Sequence, residues 1–106
     1  MIFKHHHPGY FLRETVVNEL DIPITALAKN LNISRVSLSK ILNGKSGISA
    51  EFALKLEAAG FSTAKFWLSL QNNYELFKAK QKGILLVNKI WHVDLSSEVQ
   101  TAKYAM

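Results

Sequence analysis

The sequence predicts an all-α fold, on three observations. Apolar residues recur at three- and four-residue steps through most of residues 8–82. Capping and breaking residues, from Asp21-Ile22-Pro23 to Gly83, divide that stretch into five helical segments. Only after Gly83 does the pattern change, to short apolar runs with strand chemistry. The expected organisation is an N-terminal arm at 1–7, a five-helix domain at 8–82 and a tail at 83–106 with a short strand-like part and a frayed end.

Pro8-Gly9 opens the first helix, with Phe11, Leu12, Val16 and Leu20 inward and Thr15, Asn18 and Glu19 outward. Asp21-Ile22-Pro23 breaks it, and proline is tolerated where the next helix begins because the first turn needs no N–H partner. The second helix runs from about 24 to 31, with Ile24, Leu27, Ala28 and Leu31 facing the core. Asn32 stands at a turn that wants positive φ, and Ser34 is a natural N-cap for a third helix over about 35–42. Asn43-Gly44 ends that helix. Ser49 caps the fourth, which buries Phe52, Ala53, Leu56 and Ala59 before Gly60 stops it. Ser62 is the expected cap of the last and longest helix, over about 63–80. Its stripe of Phe66, Trp67, Leu70, Tyr74 and Phe77, widened by Leu68, covers the core on one edge and offers Tyr74 and Phe77 to a partner on the other.

The second and third helices, with the small Ala28 where they must cross, have the layout of a helix-turn-helix. At about 100° per residue, Leu38, Ile41 and Leu42 share the buried face of the third helix. Val36, Ser39, Lys40 and Asn43 fall opposite, and Arg35 projects from the first turn. These side chains suit a major groove: Arg or Lys donates to guanine, Val packs on a thymine methyl, Ser and Asn bond bases or phosphates. The candidate DNA-binding set is Ser34, Arg35, Val36, Ser37, Ser39, Lys40, Asn43 and Lys45. Lys29, Arg35, Lys40 and Lys45 bring four cations to residues 29–45, which contain no acid. With 13 Lys and Arg against 8 Asp and Glu, net +5, the whole chain supports the same reading, since a phosphate backbone rewards positive charge through counterion release.

Other classes find little support. The chain has no cysteine, which excludes disulfides and thiolate metal sites and points to the cytoplasm. Its longest apolar run, Gly83-Ile84-Leu85-Leu86-Val87, is too short to span a membrane, and Met1-Ile2-Phe3-Lys4 lacks the apolar core of a secretory signal. His5-His6-His7 alternate on the arm with no nearby carboxylate to orient their rings, so they read as a flexible polar arm or a purification-type scar, not a metal site. No paired acids, nucleophile elbow or phosphate loop is present, so neither an enzyme nor a cofactor is expected. The aromatic stripe reads as core and interface, not as a small-molecule box.

His7-Pro8-Gly9, Leu27-Ala28, Ile33-Ser34-Arg35, Asn43-Gly44-Lys45, Ile48-Ser49, Phe66-Trp67-Leu68-Ser69-Leu70-Gln71 and Asn73-Tyr74-Glu75-Leu76 together resemble the HigA antitoxins, the XRE-type partners of HigB toxins. The resemblance covers about residues 7–80, and its Phe-Trp-Leu-x-Leu-Gln stretch is far more specific than a generic helix-turn-helix. It implies a five-helix, lambda-repressor-like antitoxin that dimerises, represses its own operon and neutralises a RelE-like toxin that cuts mRNA on the ribosome. A stand-alone XRE regulator without a toxin is the alternative. The chain departs from the family at Pro23, where a Ser or Thr usually caps the second helix.

A homodimer on an inverted repeat is expected, because one recognition helix reads only a few base pairs. The partner surface is expected at Tyr74, Phe77, Ile84, Leu86 and Trp91. Ile84–Val87 and Trp91–Leu95 need an outside partner for their backbone groups, either the second protomer or the edge of the toxin's sheet. The tail's acids, Asp94 and Glu98, are balanced by Lys89 and Lys103, which favours the protomer over a basic toxin.

Overall fold

Five helical segments form in the order that the breaks dictate. The structure is a computed structural model and describes residues 7–83 and 86–91. Helix α1 begins at Pro8–Leu12 and continues without a break into a wider-turned stretch, Arg13–Asn18. After it come α2 (Ile24–Asn30), α3 (Arg35–Leu42), α4 (Ala50–Ala58) and α5 (Ala64–Gln81). No strand occurs among the described residues.

The wide stretch moves one residue off the face that an ideal helix assigns it. The Thr15 hydroxyl donates to the Phe11 carbonyl at 2.8 Å, and further along Glu19 N–H reaches back five residues to the Glu14 carbonyl. Turns of this kind hold one residue more and rotate the rest of the helix about its axis. Val16 stays buried, but Leu20 is turned outward and is 53% exposed, against the expectation that it faces the core. Ile22 packs there instead.

Three helices close with one terminal geometry. Asn32, Gly44 and Gly60 take positive φ of 54°, 75° and 94°. The next residue's N–H then reaches back five positions, Ile33 to Ala28, Lys45 to Lys40 and Phe61 to Leu56. This is the Schellman arrangement, which satisfies carbonyls that a helix end leaves open. Ser34 and Ser49 cap α3 and α4, accepting from Ser37 N–H at 3.0 Å and Phe52 N–H at 3.1 Å. Pro23 stands at the N-cap of α2 with no side-chain bond, as its chemistry requires.

Two further expectations are corrected. Thr63, not Ser62, caps α5, accepting from Phe66 N–H at 3.0 Å. Ser62 takes φ 68°, far from the extended conformation of an N-cap, and the Glu57 carboxylate accepts from Ala64 N–H at 2.6 Å. Ala59 is exposed because it lies at the C-cap of α4, where the chain is already turning away.

The core gathers Leu12, Val16, Leu27, Leu31, Leu38, Leu42, Ile48, Phe52 and Leu56 around Trp67. Leu27, Ala28 and Leu31 of α2 are buried as expected, while Ile24 is only half-buried at its edge. Trp67 donates its indole N–H to the Phe61 carbonyl, and its ring meets Phe66 and Phe11 at 5.3 and 5.8 Å between centroids. Of the α5 stripe only Trp67 is buried; Phe66, Leu68, Leu70, Tyr74 and Phe77 are half-buried.

After α5, residues 86–91 take no regular structure, and Leu86, Val87, Ile90 and Trp91 are exposed. A strand needs a ladder partner, and none of the described residues supplies one. Ile84, Leu85 and residues 92–95 of the expected strands, and residues 1–6 of the expected arm, lie outside the described residues. His7 is not part of a free arm: it is 5% exposed and caps α1, its Nδ1 accepting from Gly9 N–H at 2.9 Å.

Candidate nucleic-acid interface

Helix α3 has a strict division of faces. Leu38 and Leu42 are fully buried and Ile41 nearly so, while Val36, on the other side, is 64% exposed. Arg35, Lys40, Asn43 and Lys45 are exposed around Val36, and Ser39 is half-buried at the edge. Ser34 and Ser37 are exposed but already engaged with each other, hydroxyl to hydroxyl at 2.8 Å as well as through the cap. A phosphate approaching this turn therefore meets a fixed pair of hydroxyls.

Lys45 owes its place to the Schellman closure. Its N–H bonds the Lys40 carbonyl at 2.8 Å, and Ser46 N–H shares that carbonyl at 3.2 Å. The loop is thus folded back over the end of α3, which puts Lys45 just past the helix and near its last turn. Farther on, Gln71 of α5 holds the same loop, its Oε1 accepting from Ile48 N–H at 2.8 Å while its Nε2 donates to Glu75 at 2.8 Å. The Phe-Trp-Leu-x-Leu-Gln stretch thereby has a physical role: Trp67 fills the core and Gln71 secures the loop behind α3.

The N-terminal residues complete the frame. Gly9 lies directly on the end of α3; a Cβ there would stand 1.7 Å from the Ile41 carbonyl oxygen. Tyr10 donates its hydroxyl to the Asn43 carbonyl at 3.4 Å, and Arg13 donates to Asn43 Oδ1 at 2.9 Å. At the other end of the motif, Lys55 of α4 donates to the Asn32 carbonyl at 2.9 Å and ties down the turn. Arg13 and Lys55 were not legible as part of the site, because their partners lie 30 and 23 residues away and no local pattern announces them. His7-Pro8-Gly9 did carry a signal, though not the reason for it.

His7 is packed against Tyr74 of α5 at 5.0 Å and Tyr10 of α1 at 6.2 Å between ring centroids. Burial holds its imidazole below the ordinary value of 6.5; Lys78 adds to this, while a hydrogen bond with the Ser46 backbone and the charge of Glu75 oppose it. A histidine kept neutral by folding contributes stability above about 6.5, which is lost as pH falls from there toward its folded value. Protonation also removes the Nδ1 lone pair that caps α1. Thermal melts at about pH 7.5 and pH 5.5 should show a larger acid-induced loss for the wild type than for His7→Asn, which caps without titrating. Equal losses would mean that His7 does not report on pH.

The expected partner residues are placed unevenly. Tyr74 and Phe77 lie half-buried on α5, and a Lys78 ammonium stands 5.0 Å from the Tyr74 ring centroid. Leu86 and Trp91 are exposed, and Ile84 lies outside the described residues. No described helix is long and apolar enough to cross a membrane.

Comparison with known proteins agrees with this geometry. A helix-turn-helix family model matches residues 12–63, which span α2, α3 and α4. Virulence-associated protein A' of Dichelobacter nodosus is 41% identical over 86 residues, 80% of this chain and 74% of the relative. An addiction module antidote protein of the HigA family from Coxiella burnetii has a TM-score of 0.69 at 36% identity, over 74% of this chain and 85% of its own. The Pseudomonas aeruginosa antitoxin HigA, solved with the higBA promoter, has a TM-score of 0.74 at 33% identity, over 82% of this chain and 99% of its own. This chain belongs to the HigA family. The family consists of DNA-binding regulators and antitoxins, not enzymes, and this member has the all-α helix-turn-helix fold of its relatives.

Proposed function

We propose that this HigA-family chain is the antitoxin and autorepressor of a toxin–antitoxin pair. Two copies bind an inverted repeat in their own promoter, and the chain also captures and silences a HigB-like, RelE-like mRNA-cleaving toxin in the cytoplasm. The observation that carries the DNA part is the exposed face of α3, where Val36, Arg35, Lys40 and Lys45 stand opposite a fully buried Leu38 and Leu42. The promoter-bound relative supports it. For the assembly, the half-buried Tyr74 and Phe77 and the exposed Leu86 and Trp91 supply apolar surface of the kind that interfaces cover.

Titration of labelled promoter DNA, with stoichiometry from light scattering, tests the repressor part; two protomers per operator are expected, with half-sites about one helical turn apart or a multiple of that. Lys40→Ala and Val36→Ala should each relax base preference by about 1–3 kcal/mol at most. Lys45→Ala should weaken all sequences alike and lower the salt slope by about one unit. A change of preference with Lys45→Ala and none with Lys40→Ala would reverse the assigned facing. Expression of the adjacent reading frame alone tests the antitoxin part: toxicity relieved by this chain supports it, and a harmless neighbour leaves a stand-alone regulator.

A further inference from the structure

Asn43 is not a free side chain waiting for a base. Arg13 Nη2 donates to its Oδ1 at 2.9 Å, its Nδ2 donates to Ser39 Oγ at 3.3 Å, and its backbone carbonyl accepts from Tyr10. A guanidinium has only donors, so the orientation of the amide is dictated: oxygen toward Arg13, nitrogen toward Ser39. We infer that Arg13, reaching from α1, acts as a specificity-determining positioning residue that makes the C-terminal half of the α3 face a donor-rich surface and directs it to guanine. The inference rests on the reading of α3 as the DNA-contacting helix.

The preference for guanine comes from the inventory of atoms. A free asparagine recognises adenine by accepting from N6 and donating to N7 through one amide edge. Here the amide oxygen already accepts from Arg13 and the nitrogen already donates to Ser39, so pairing with adenine competes with both contacts. Left for DNA are the second amide N–H of Asn43, the Ser39 O–H and the Lys40 ammonium, against acceptor oxygens of Asn43 and Ser39 that are each already engaged once. Donors predominate. In the major groove guanine presents two acceptors, N7 and O6, whereas adenine and cytosine present an exocyclic amine that such a surface repels.

Selection from a randomised operator library with the full-length protein decides. The wild type should select guanine at the base met by the last turn of α3. Arg13→Met keeps the length of the side chain but frees the amide, and should raise adenine relative to guanine there by about tenfold with an unchanged salt slope. Arg13→Lys retains a donor and should keep the guanine preference. In an Asn43→Ala background, Arg13→Met should have no effect on preference. Circular dichroism and thermal melts confirm that each variant is folded before selection. Uniform weakening with a salt slope lower by about one unit would overturn the inference and make Arg13 a phosphate contact. A wild type that selects no sequence at all would overturn the DNA reading itself, whereas clear selection indifferent to Arg13 would overturn the inference alone.

Discussion

Gly9→Ala is expected to destabilise the fold by about 3 kcal/mol or more and to lower operator affinity with it. The new methyl would stand 1.7 Å from the Ile41 carbonyl oxygen and 2.8 Å from its carbon, both main-chain atoms that cannot swing aside as a side-chain tip can. Relief requires α1 to lift off the end of α3, which breaks the Arg13 and Tyr10 bonds to Asn43 as well. Gly60→Ala makes the control. Gly60 has positive φ but open space around it, so that variant should suffer only left-handed strain of about 1–2 kcal/mol. Chemical denaturation of the two variants beside the wild type measures the difference. A Gly9→Ala protein as stable as Gly60→Ala would disprove the close approach.

Trp67→Ala should be the more damaging change to the core, with a loss of about 3–5 kcal/mol. Trp67 is 2% exposed, is the largest of the buried side chains, and holds the Phe61 carbonyl through its indole N–H. Removing it opens a cavity, strips Phe11 and Phe66 of their ring contact and leaves that carbonyl without its donor. Small domains have a total stability of about 5–15 kcal/mol, so a large fraction of the molecules should be unfolded at physiological temperature. Trp67→Phe keeps most of the ring packing and should retain a cooperative melt. A Trp67→Ala protein whose melt matches the wild type would remove Trp67 from the centre of the core.

Local signals were legible where their physics is local. Ser34 and Ser49 announce themselves as caps, and Asn32, Gly44 and Gly60 as ends, because each acts within five residues of itself. The inward face of α3 was legible from periodicity alone. Leu20 failed because a widened turn does not change residue types, only the angle between them. Ser62 and Thr63 both suit an N-cap, and only the backbone, with Ser62 at φ 68°, distinguishes them. The frame behind the exposed face of α3 is illegible in the sequence for another reason: Arg13, Lys55 and Gln71 find their partners across the fold, and their spacing carries no period. The tail's alternation speaks of a strand, yet a strand forms only where a second segment pairs with it, and none of the described residues does so.

The Gln71 bond to Ile48 and the close approach of Gly9 to Ile41 mean that the helix-turn-helix is not a detachable cassette. Residues 24–45 grafted onto another scaffold would carry the exposed side chains of α3 without the struts that aim them. The smallest fragment that holds α3 as it is held here therefore starts no later than His7 and ends no earlier than Gln71, and designs that borrow this face must borrow the whole span between them.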